Sequence, residues 1–361
     1  MARVVKGVVD GDGHIRERDI EIWEHLDEPY RSSPPTLNFP FFPTLDGFQR
    51  GAGAARGAKK NEGPVDQKAW SALLDAASLD YAVLYPTAGL GIGMVQDPQW
   101  AEAVCRGYNN WLSERYFRVD QRLRGVALLP LQNIDAAVRE LRRSVTELGM
   151  IGGMLPANSA DMGVRKLLGN EMFWPLYEEA QRLDVPLSVH GAPSIGLGIN
   201  AVEQVGAANI LEHPLALMVQ LTSMLLSGMY DAFPNLRVAY LEADTGWFPY
   251  MLDRVAPRMR GLKNSDPIEL ARSGRLLVSV EGVDRNLPYC IQRVGDECII
   301  YASDYPHEAR EEVVEELDEA LARTDVSETN LQNVYRENAL RFYNWDAGIA
   351  VGERHEAASA R

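Results

Sequence analysis

The sequence predicts an α/β fold, a (β/α)8 TIM barrel, and three observations lead to it. Eight short apolar segments are each separated from the next by at least one helical segment. Parallel strands need such helical crossovers, and a closed barrel leaves neither edge strand exposed. No glycine-rich phosphate loop follows the first segment, which weakens the alternative of an open doubly wound sheet. The predicted strands lie at 4–9, 81–85, 125–129, 151–155, 186–190, 236–241, 276–280 and 298–302.

The first predicted strand, at 4–9, is followed by a short acidic and glycine-rich segment that contains Asp12 and His14. β-Branched side chains pack well on a pleated surface, and Gly11 and Gly13 are expected to provide a sharp exit from the strand. Asp12 and His14 are two residues apart, so both side chains would project from the same side. A carboxylate and an imidazole placed together form half of a metal site, although an ordinary turn with a surface histidine would look the same locally.

A long irregular region at 29–63 follows the first strand and shows no sustained periodicity. Loops of this length inside a compact domain are usually functional lids or disordered segments. The aromatic residues Phe39, Phe41 and Phe42 favour a lid that covers an apolar ligand, and a disordered insertion is the alternative. Trp247, which follows the sixth predicted strand, is assigned to the same substrate-covering surface.

The rest of the chain alternates regularly between helix and strand. At 134–148, for example, Ala137, Leu141 and Leu148 are spaced to form one apolar helix face. The pattern predicts one domain at 1–345, with a flexible tail at 346–361. Helices are predicted at 67–78, 98–118, 134–148, 173–183, 214–232, 246–260, 287–294, 308–323 and 328–342.

The composition excludes several classes of protein. A net charge of -15 argues against a nucleic-acid partner, because phosphate binding needs clustered lysine and arginine. Three irregularly spaced cysteines form neither a disulfide framework nor a zinc-binding pair, which favours a cytoplasmic location. The most apolar helix, at 215–229, is interrupted by polar residues, so we expect a buried helix and no membrane anchor.

Acidic residues and histidines follow the predicted strands at the points where the strands end. In a barrel these ends meet at one rim, where catalytic residues concentrate. Such side chains are costly to desolvate unless they are paired, protonated or bound to a metal. Each residue taken singly has a simpler explanation, such as a helix cap or a hydrogen-bonded core histidine, but together they predict a metal site. The set comprises Asp12, His14, His190, Glu242, Asp244, Glu281 and Asp304.

Several of these motifs resemble the amidohydrolase superfamily, in the branch of the aminocarboxymuconate-semialdehyde and resorcylate-type decarboxylases. The resemblance covers essentially the whole chain apart from the 29–63 insertion and the tail. It implies a TIM barrel and a metal-dependent enzyme that acts on a small molecule, and by analogy a homodimer. It rests on the sequences at 9–14, 122–132, 186–191, 233–242, 246–247 and 301–307.

The resemblance also implies particular metal ligands. The first strand of the family usually carries His-x-His, with an acid at the first position in some members, and here Asp12 and His14 occupy these positions. His190 and Asp304 match the metal ligands of the fifth and eighth strands. Glu242 stands where these decarboxylases have a catalytic histidine, so it is expected to act as a base or to bind the metal directly.

This carboxylate-rich set suits zinc, manganese or iron, with either one or two ions bound. A second ion, or the residues that surround the ligands of the first ion, would involve Glu281, His213 or His307. His213 is expected to open the helix after the fifth strand and is also a candidate for substrate contact. Solvent-exposed positions are the alternative for both His213 and His307.

Three functions remain open from the sequence. The first is a metal-dependent hydrolase or non-oxidative decarboxylase that acts on an apolar or aromatic carboxylate or carbonyl compound, with Glu242, Asp304 and His213 as catalytic residues. The second is a nonheme diiron monooxygenase on the same fold, which the carboxylate-rich site would favour. The third is a binding protein without catalysis. The acid or histidine at each rim position argues against this third function.

Overall fold

The computed structural model shows parallel strands that alternate with helices, as the sequence predicts. Most of the 29–63 insertion, including Phe39, and the tail at 346–361 lie outside the described residues. The structure describes residues 5–32, 40–43, 65–160, 163–192, 194, 196–203, 205–261 and 264–345.

Short strands form two sets of parallel neighbours, in the orders β1-β2-β3 and β4-β5-β6-β7-β8-β9. Only Val126 separates β3 from β4, so these two pieces together form the third predicted strand. Over the described residues the strands are β1 (Val8–Ile15), β2 (Leu79–Pro86), β3 (Leu123–Gly125), β4 (Ala127–Leu128), β5 (Gly153–Pro156), β6 (Leu187–His190), β7 (Val238–Leu241), β8 (Leu276–Glu281) and β9 (Ile299–Ala302).

Backbone hydrogen bonds close the two sets of strands into one barrel. The Ile151 N–H donates to Gly125 O at 3.1 Å and joins the start of β5 to β3. On the opposite side, the His14 N–H donates to Tyr305 O at 2.6 Å, so β1 is joined to the segment that follows β9. An open sheet would leave β1 and β9 as separate edges, and these bonds therefore exclude that alternative.

The predicted helices lie close to their observed positions, and three of them differ in extent, while the short helices Asp19–Trp23 and Pro267–Arg272 were not predicted. The helix predicted at 98–118 ends earlier, and its last turns are the π-helical segment Ser113–Phe117. A π-helical segment, Asn333–Glu337, also divides the closing helix. The helix after β6 begins well before 214, so Pro214 lies inside it. The helices are α1 (Asp19–Trp23), α2 (Gln67–Ala77), α3 (Pro98–Leu112), α4 (Ile134–Leu148), α5 (Trp174–Leu183), α6 (Val205–Ser227), α7 (Met229–Ala232), α8 (Trp247–Met259), α9 (Pro267–Arg272), α10 (Leu287–Val294), α11 (Arg310–Leu321), α12 (Glu328–Gln332) and α13 (Asn338–Tyr343).

The extent of β1 differs from the prediction, because the strand runs through the two glycines and does not end before them. Its pairing with β2 shifts register between Asp10 and Gly13, which is a bulge. A Cβ atom on Gly13 would collide with the Trp70 ring, and one on Gly11 would lie 3.1 Å from Tyr301 O. These glycines therefore allow neighbouring groups to approach the strand closely, and they do not turn the chain.

Helix α6 is less buried than the sequence suggests. Its segment Ile210–Ser227 is long and apolar enough to cross a membrane by length and composition, and 39% of it is buried inside the protein. Leu217 and Leu221 pack into the core, whereas Ile210 is 74% exposed and Leu211 is also exposed. The prediction of a buried helix is correct for one face only.

Candidate metal centre

Parallel pairing brings the polar strand ends to one rim of the barrel. Asp12 and His14 lie in β1, and His190 and Glu281 are the last residues of β6 and β8. Glu242 follows β7 directly. Asp304 follows β9 by two residues and completes the ring.

Two of these residues have an uncommon backbone conformation. Glu242 and Asp304 both adopt left-handed conformations, with φ values of 72° and 51°. Non-glycine residues in this region carry strain and cluster at active sites. The Glu242 N–H donates to Ser279 Oγ at 2.9 Å, which fixes this position against β8.

Asp12, His14 and His190 form a buried cluster that we call the deep group. His190 Nε2 lies 3.3 Å from Asp12 Oδ1, and His14 Nε2 lies 3.8 Å from the same oxygen. The two imidazole rings meet edge to face with centroids 4.8 Å apart. These side chains are at most 3% exposed, and their potential ligand atoms all lie within 4.8 Å of one another.

The other ring nitrogens of the deep group show what the cluster binds. His14 Nδ1 is 2.9 Å from Pro86 O, and His190 Nδ1 is 2.7 Å from Gly191 O. Because a carbonyl oxygen only accepts hydrogen bonds, each neutral ring carries its proton on Nδ1. Both Nε2 lone pairs then face the Asp12 carboxylate. This arrangement is repulsive unless a cation lies between the groups, and it matches the way metal-binding histidines are oriented.

Glu242, Asp304 and His307 form a second cluster nearer to solvent, which we call the outer group. His14 can be a ligand in either group, since its Nε2 lies 3.6 Å from Asp304 Oδ1. His307 Nδ1 is 2.7 Å from Asp304 Oδ1, and its Nε2 is 3.0 Å from Thr87 Oγ1. The outer side chains are 12% to 26% exposed.

One oxygen of the outer group is buried without a hydrogen-bond partner. Glu242 Oε2 is 3.2 Å from His190 Nδ1, but the proton on that nitrogen is directed to Gly191 O. A buried carboxylate oxygen without a donor is costly. The missing partner is supplied most simply by a cation.

The ionisation of the histidines reflects a shortage of positive charge at the rim. Burial lowers the pKa of His190, but the Asp12 and Glu242 carboxylates outweigh burial and raise this pKa well above its ordinary value. Burial, together with His307 and His190, holds the pKa of His14 well below its usual range. The carboxylates around His190 therefore favour a positive charge at this place, which a divalent ion would supply.

Two glutamates at the rim shift in opposite directions. Burial raises the pKa of Glu242, but the neighbouring His213 and His190 outweigh burial and lower it. Burial and the carboxylates of Asp304 and Glu242 raise the pKa of Glu281 well above its ordinary value. The pKa of Glu242 is therefore shifted towards ionisation and that of Glu281 towards retention of a proton.

His213 and Glu281 belong to neither ligand group among the described residues. His213 lies inside α6 and does not open the helix as predicted, because the helix begins at Val205. It remains near the rim, since a Cβ atom on Gly191 would lie 3.2 Å from its Cβ. Glu281 has a buried Oε1 without a hydrogen-bond partner.

The described aromatic residues assigned to a lid are buried against other aromatic side chains. Phe41 meets the Trp100 ring edge to face at 5.0 Å, and its carbonyl accepts the indole N–H at 3.1 Å. Phe42 is buried with it. Trp247 contacts Tyr240 and Phe248. The lid remains a prediction, and Phe39 lies outside the described residues.

Asp10 is a buried residue beside the candidate ligands to which the sequence analysis gave no role. Its Oδ1 accepts the Ser303 N–H at 3.0 Å and the Asp12 N–H at 3.2 Å, and its Oδ2 accepts the Ser303 hydroxyl at 2.5 Å. Burial raises the pKa of Asp10 to about 7. The residue ties β1 to the segment that carries Asp304. The signal in the sequence that could have identified this residue is an acidic side chain inside a buried strand.

Residues 60–345 match the protein family described as Amidohydrolase, which is most of the chain. The chain belongs to this amidohydrolase family. The match begins after β1, so Asp12 and His14 lie outside it. The resemblance seen in the motifs is thereby confirmed, together with the prediction of a metal-dependent enzyme on this fold.

Curated relatives include a gamma-resorcylate decarboxylase from Polaromonas, 26% identical over 75% of this chain and 85% of the relative. A 2-amino-3-carboxymuconate-6-semialdehyde decarboxylase from Dictyostelium discoideum is 25% identical over 76% of this chain and 75% of the relative. A dihydroxybenzoic acid decarboxylase from Polaromonas, solved with manganese and the inhibitor 2-nitroresorcinol, has a TM-score of 0.69 and 20% identity and covers 95% of this chain and 98% of its own. These relatives do not support the diiron monooxygenase alternative.

Proposed function

We propose that this protein is a metal-dependent, non-oxidative decarboxylase of an aromatic carboxylate. The observation that carries the proposal is the deep group, in which two Nε2 lone pairs face one carboxylate. The relatives of known activity provide the reaction class, since those reported above are decarboxylases. The same cluster could activate water for hydrolysis, and the relatives favour decarboxylation.

Asp12, His14, His190 and Asp304 would hold the divalent ion. Their mixture of imidazole and carboxylate ligands fits manganese, zinc or iron, and we favour manganese because a related structure contains it. When bound, the ion supplies Lewis acidity that draws electron density from the substrate carboxylate and an adjacent oxygen.

The chain itself must supply a proton. In the proposed reaction the bond between the ring carbon and the carboxylate breaks, CO2 leaves, and the electron pair remains on the ring carbon. That carbon then takes a proton in place of CO2. Glu281 is our candidate for the proton holder, because burial and the carboxylates of Asp304 and Glu242 raise its pKa. Paired groups whose pKa values are pushed apart often divide acid and base roles in this way.

The proposal is tested by incubating the manganese-loaded protein with a series of hydroxybenzoates in D2O. We expect CO2 release and one deuterium in the product, on the carbon that carried the carboxylate. NMR locates the deuterium in the product, and a CO2 assay measures the release of CO2. Hydrolysis of ester or amide substrates without CO2 release from any benzoate would contradict the proposal.

We further propose a homodimer that buries the apolar face of α6. Ile210 and Leu197 are 74% and 66% exposed, and Leu211 and Leu226 are also exposed. Ile210 and Leu211 are neighbours on α6, and exposed apolar residues that lie together often mark an interface between proteins. Light scattering during gel filtration should give twice the chain mass for the wild type and a smaller mass for Ile210→Lys. A wild-type protein of single-chain mass would contradict the dimer.

A further inference from the structure

We propose that Tyr343, the last residue of the closing helix α13, is a positioning residue for the metal ligands Asp12 and His14. This inference rests on the proposed function, because these are the ligands that would hold its metal ion. Tyr343 is not a ligand and acts from the opposite face of the barrel, through the backbone of β1.

Bonds on both sides of Tyr343 fix the place where its side chain enters the barrel. Arg237 Nε donates to Phe342 O at 2.9 Å, and Asn344 Nδ2 donates to Asp184 Oδ2 at 2.8 Å. Arg237 and Asp184 come shortly before β7 and β6, so the end of α13 is tied to the amino ends of these strands. Tyr343 is only 1% exposed, so the core encloses its side chain.

The Tyr343 hydroxyl joins the closing helix to the first strand. It donates to Gly11 O at 2.6 Å, across 332 positions of sequence. Because a carbonyl oxygen only accepts, the single hydroxyl proton of Tyr343 is committed to this bond. Gly11 and Asp12 lie in the bulge of β1, which interrupts the pairing with β2. Residues of a bulge leave the regular ladder, and their buried carbonyl groups need other donors. Tyr343 is such a donor, at the residue directly before Asp12.

The same hydroxyl belongs to a buried cluster next to the histidines of the deep group. The Tyr85 hydroxyl lies 2.7 Å from that of Tyr343 and donates to Ser188 Oγ at 2.7 Å. Ser188 precedes His190 by two residues in β6, so the cluster lies one step further from the rim. The Tyr85 ring packs near both imidazoles, with centroids 6.4 Å from His14 and 5.3 Å from His190.

One hydroxyl thus supports the deep group at two points. Through Gly11 it holds the bulge that carries Asp12, and through Tyr85 it contacts the ring beside both imidazoles. A buried carbonyl that loses its donor is costly, and movement of the strand would relieve that cost. Asp12 is the next residue of the strand and would move with it. Loss of the hydroxyl should therefore change the arrangement of the ligands as well as the stability of the fold.

The test compares two tyrosines of the closing segment. Tyr343→Phe removes one oxygen atom and keeps the ring, so Gly11 O loses this donor. Tyr335→Phe is the matched control, because Tyr335 is also fully buried in the closing segment. Its hydroxyl has no hydrogen-bond partner among the residues that the structure describes. Both variants therefore make the same chemical change, and only the first removes a bond to β1.

Metal affinity is the first measurement. The metal-free full-length proteins are titrated with Mn²⁺ by calorimetry. Groups that orient metal ligands change affinity by roughly 10- to 100-fold, and we expect a loss of about tenfold for Tyr343→Phe because it acts through the backbone. Tyr335→Phe should keep the affinity of the wild type. Circular dichroism and urea denaturation confirm that each variant is folded under the conditions of the titration.

The absorption spectrum of bound Co²⁺ is the deciding measurement. This spectrum depends on the positions of the ligand atoms, and a uniform loss of stability would not move it. We expect the bands of Tyr343→Phe to shift in wavelength and intensity, and those of Tyr335→Phe to match the wild type. A wild-type spectrum in Tyr343→Phe, or the same shift in Tyr335→Phe, would overturn the inference.

The result is separable from the proposed function, because neither measurement uses a substrate. A protein that releases CO2 from a benzoate but keeps the wild-type Co²⁺ spectrum in Tyr343→Phe would retain the decarboxylase assignment and exclude the positioning role. A protein that releases no CO2 but shows the shifted spectrum only in Tyr343→Phe would retain the positioning role and exclude the assignment.

Discussion

The deep and outer groups lie at the same rim but are built differently. The deep ligands belong to β1 and β6, and their histidines are anchored to backbone carbonyls. The outer ligands follow β7 and β9, on left-handed backbone at Glu242 and Asp304, and His307 is anchored by the Thr87 side chain. The strands thus fix one group rigidly, whereas loops fix the other. Such loops can vary chemistry without changing the barrel.

The largest effect is expected where the two groups meet. Asp304→Asn removes a charge that faces both His14 and His307, so metal binding at the rim should weaken. Removing one partner of a buried charged pair costs about 3–5 kcal/mol, or roughly a 100- to 4,000-fold loss of affinity. Calorimetric titration with Mn²⁺ measures the loss of affinity. Unchanged affinity would remove Asp304 from the ligand set.

A comparison of two histidine variants sharpens the distinction between the groups. His190→Asn should abolish tight binding in the deep group, whereas His307→Asn should spare it. The reason is that His190 Nε2 faces the carboxylate of Asp12, while the carboxylate that His307 faces is that of Asp304. Competition with a chelator of known affinity reports the tightest site. If His307→Asn weakens that site as much as His190→Asn, the two groups are not separate.

Asp10 tests whether the two groups are coupled through the backbone. Asp10→Ala removes the carboxylate that joins Ser303 to Asp12, and metal affinity should fall about 10- to 100-fold, as for other groups that orient ligands. Asp10→Asn should lose much less, because its amide can still accept from Ser303 N–H and contact the hydroxyl. Equal losses in both variants would indicate that size at this position matters and hydrogen bonding does not.

A further prediction concerns the pH dependence of stability. Burial raises the pKa of Asp10 in the folded protein from 3.8 to about 7. The folded state then binds more protons than the unfolded state between these values, so this contribution is complete below pH 3.8 and is lost as the pH rises to about 7. Asp10→Asn, which never ionises, should gain stability relative to wild type over that interval. Urea denaturation of both metal-free proteins at pH 5 and 8 measures it, and a constant difference would contradict the shifted pKa.

Much of the fold could be predicted because βα alternation leaves a strong periodic signal. The predicted helices at 134–148 and 287–294 have the observed bounds. Errors appeared where tertiary contacts override local preference. β1 continues through Gly11 and Gly13 because Trp70 and Tyr301 approach it closely. One face of α6 stays exposed, which its apolar composition did not reveal.

The sequence by itself determined which acids and histidines stand at strand ends, and so predicted the rim cluster around Asp12, His14, His190 and Asp304. Periodicity assigns a side chain to one end and one face of a strand. Only the tertiary structure decided how those side chains meet. The bond from Asp10 to Ser303 spans 293 positions, and carbonyls of neighbouring segments orient His14 and His190. The division into a deep and an outer group follows from distances between strands, which no single strand encodes.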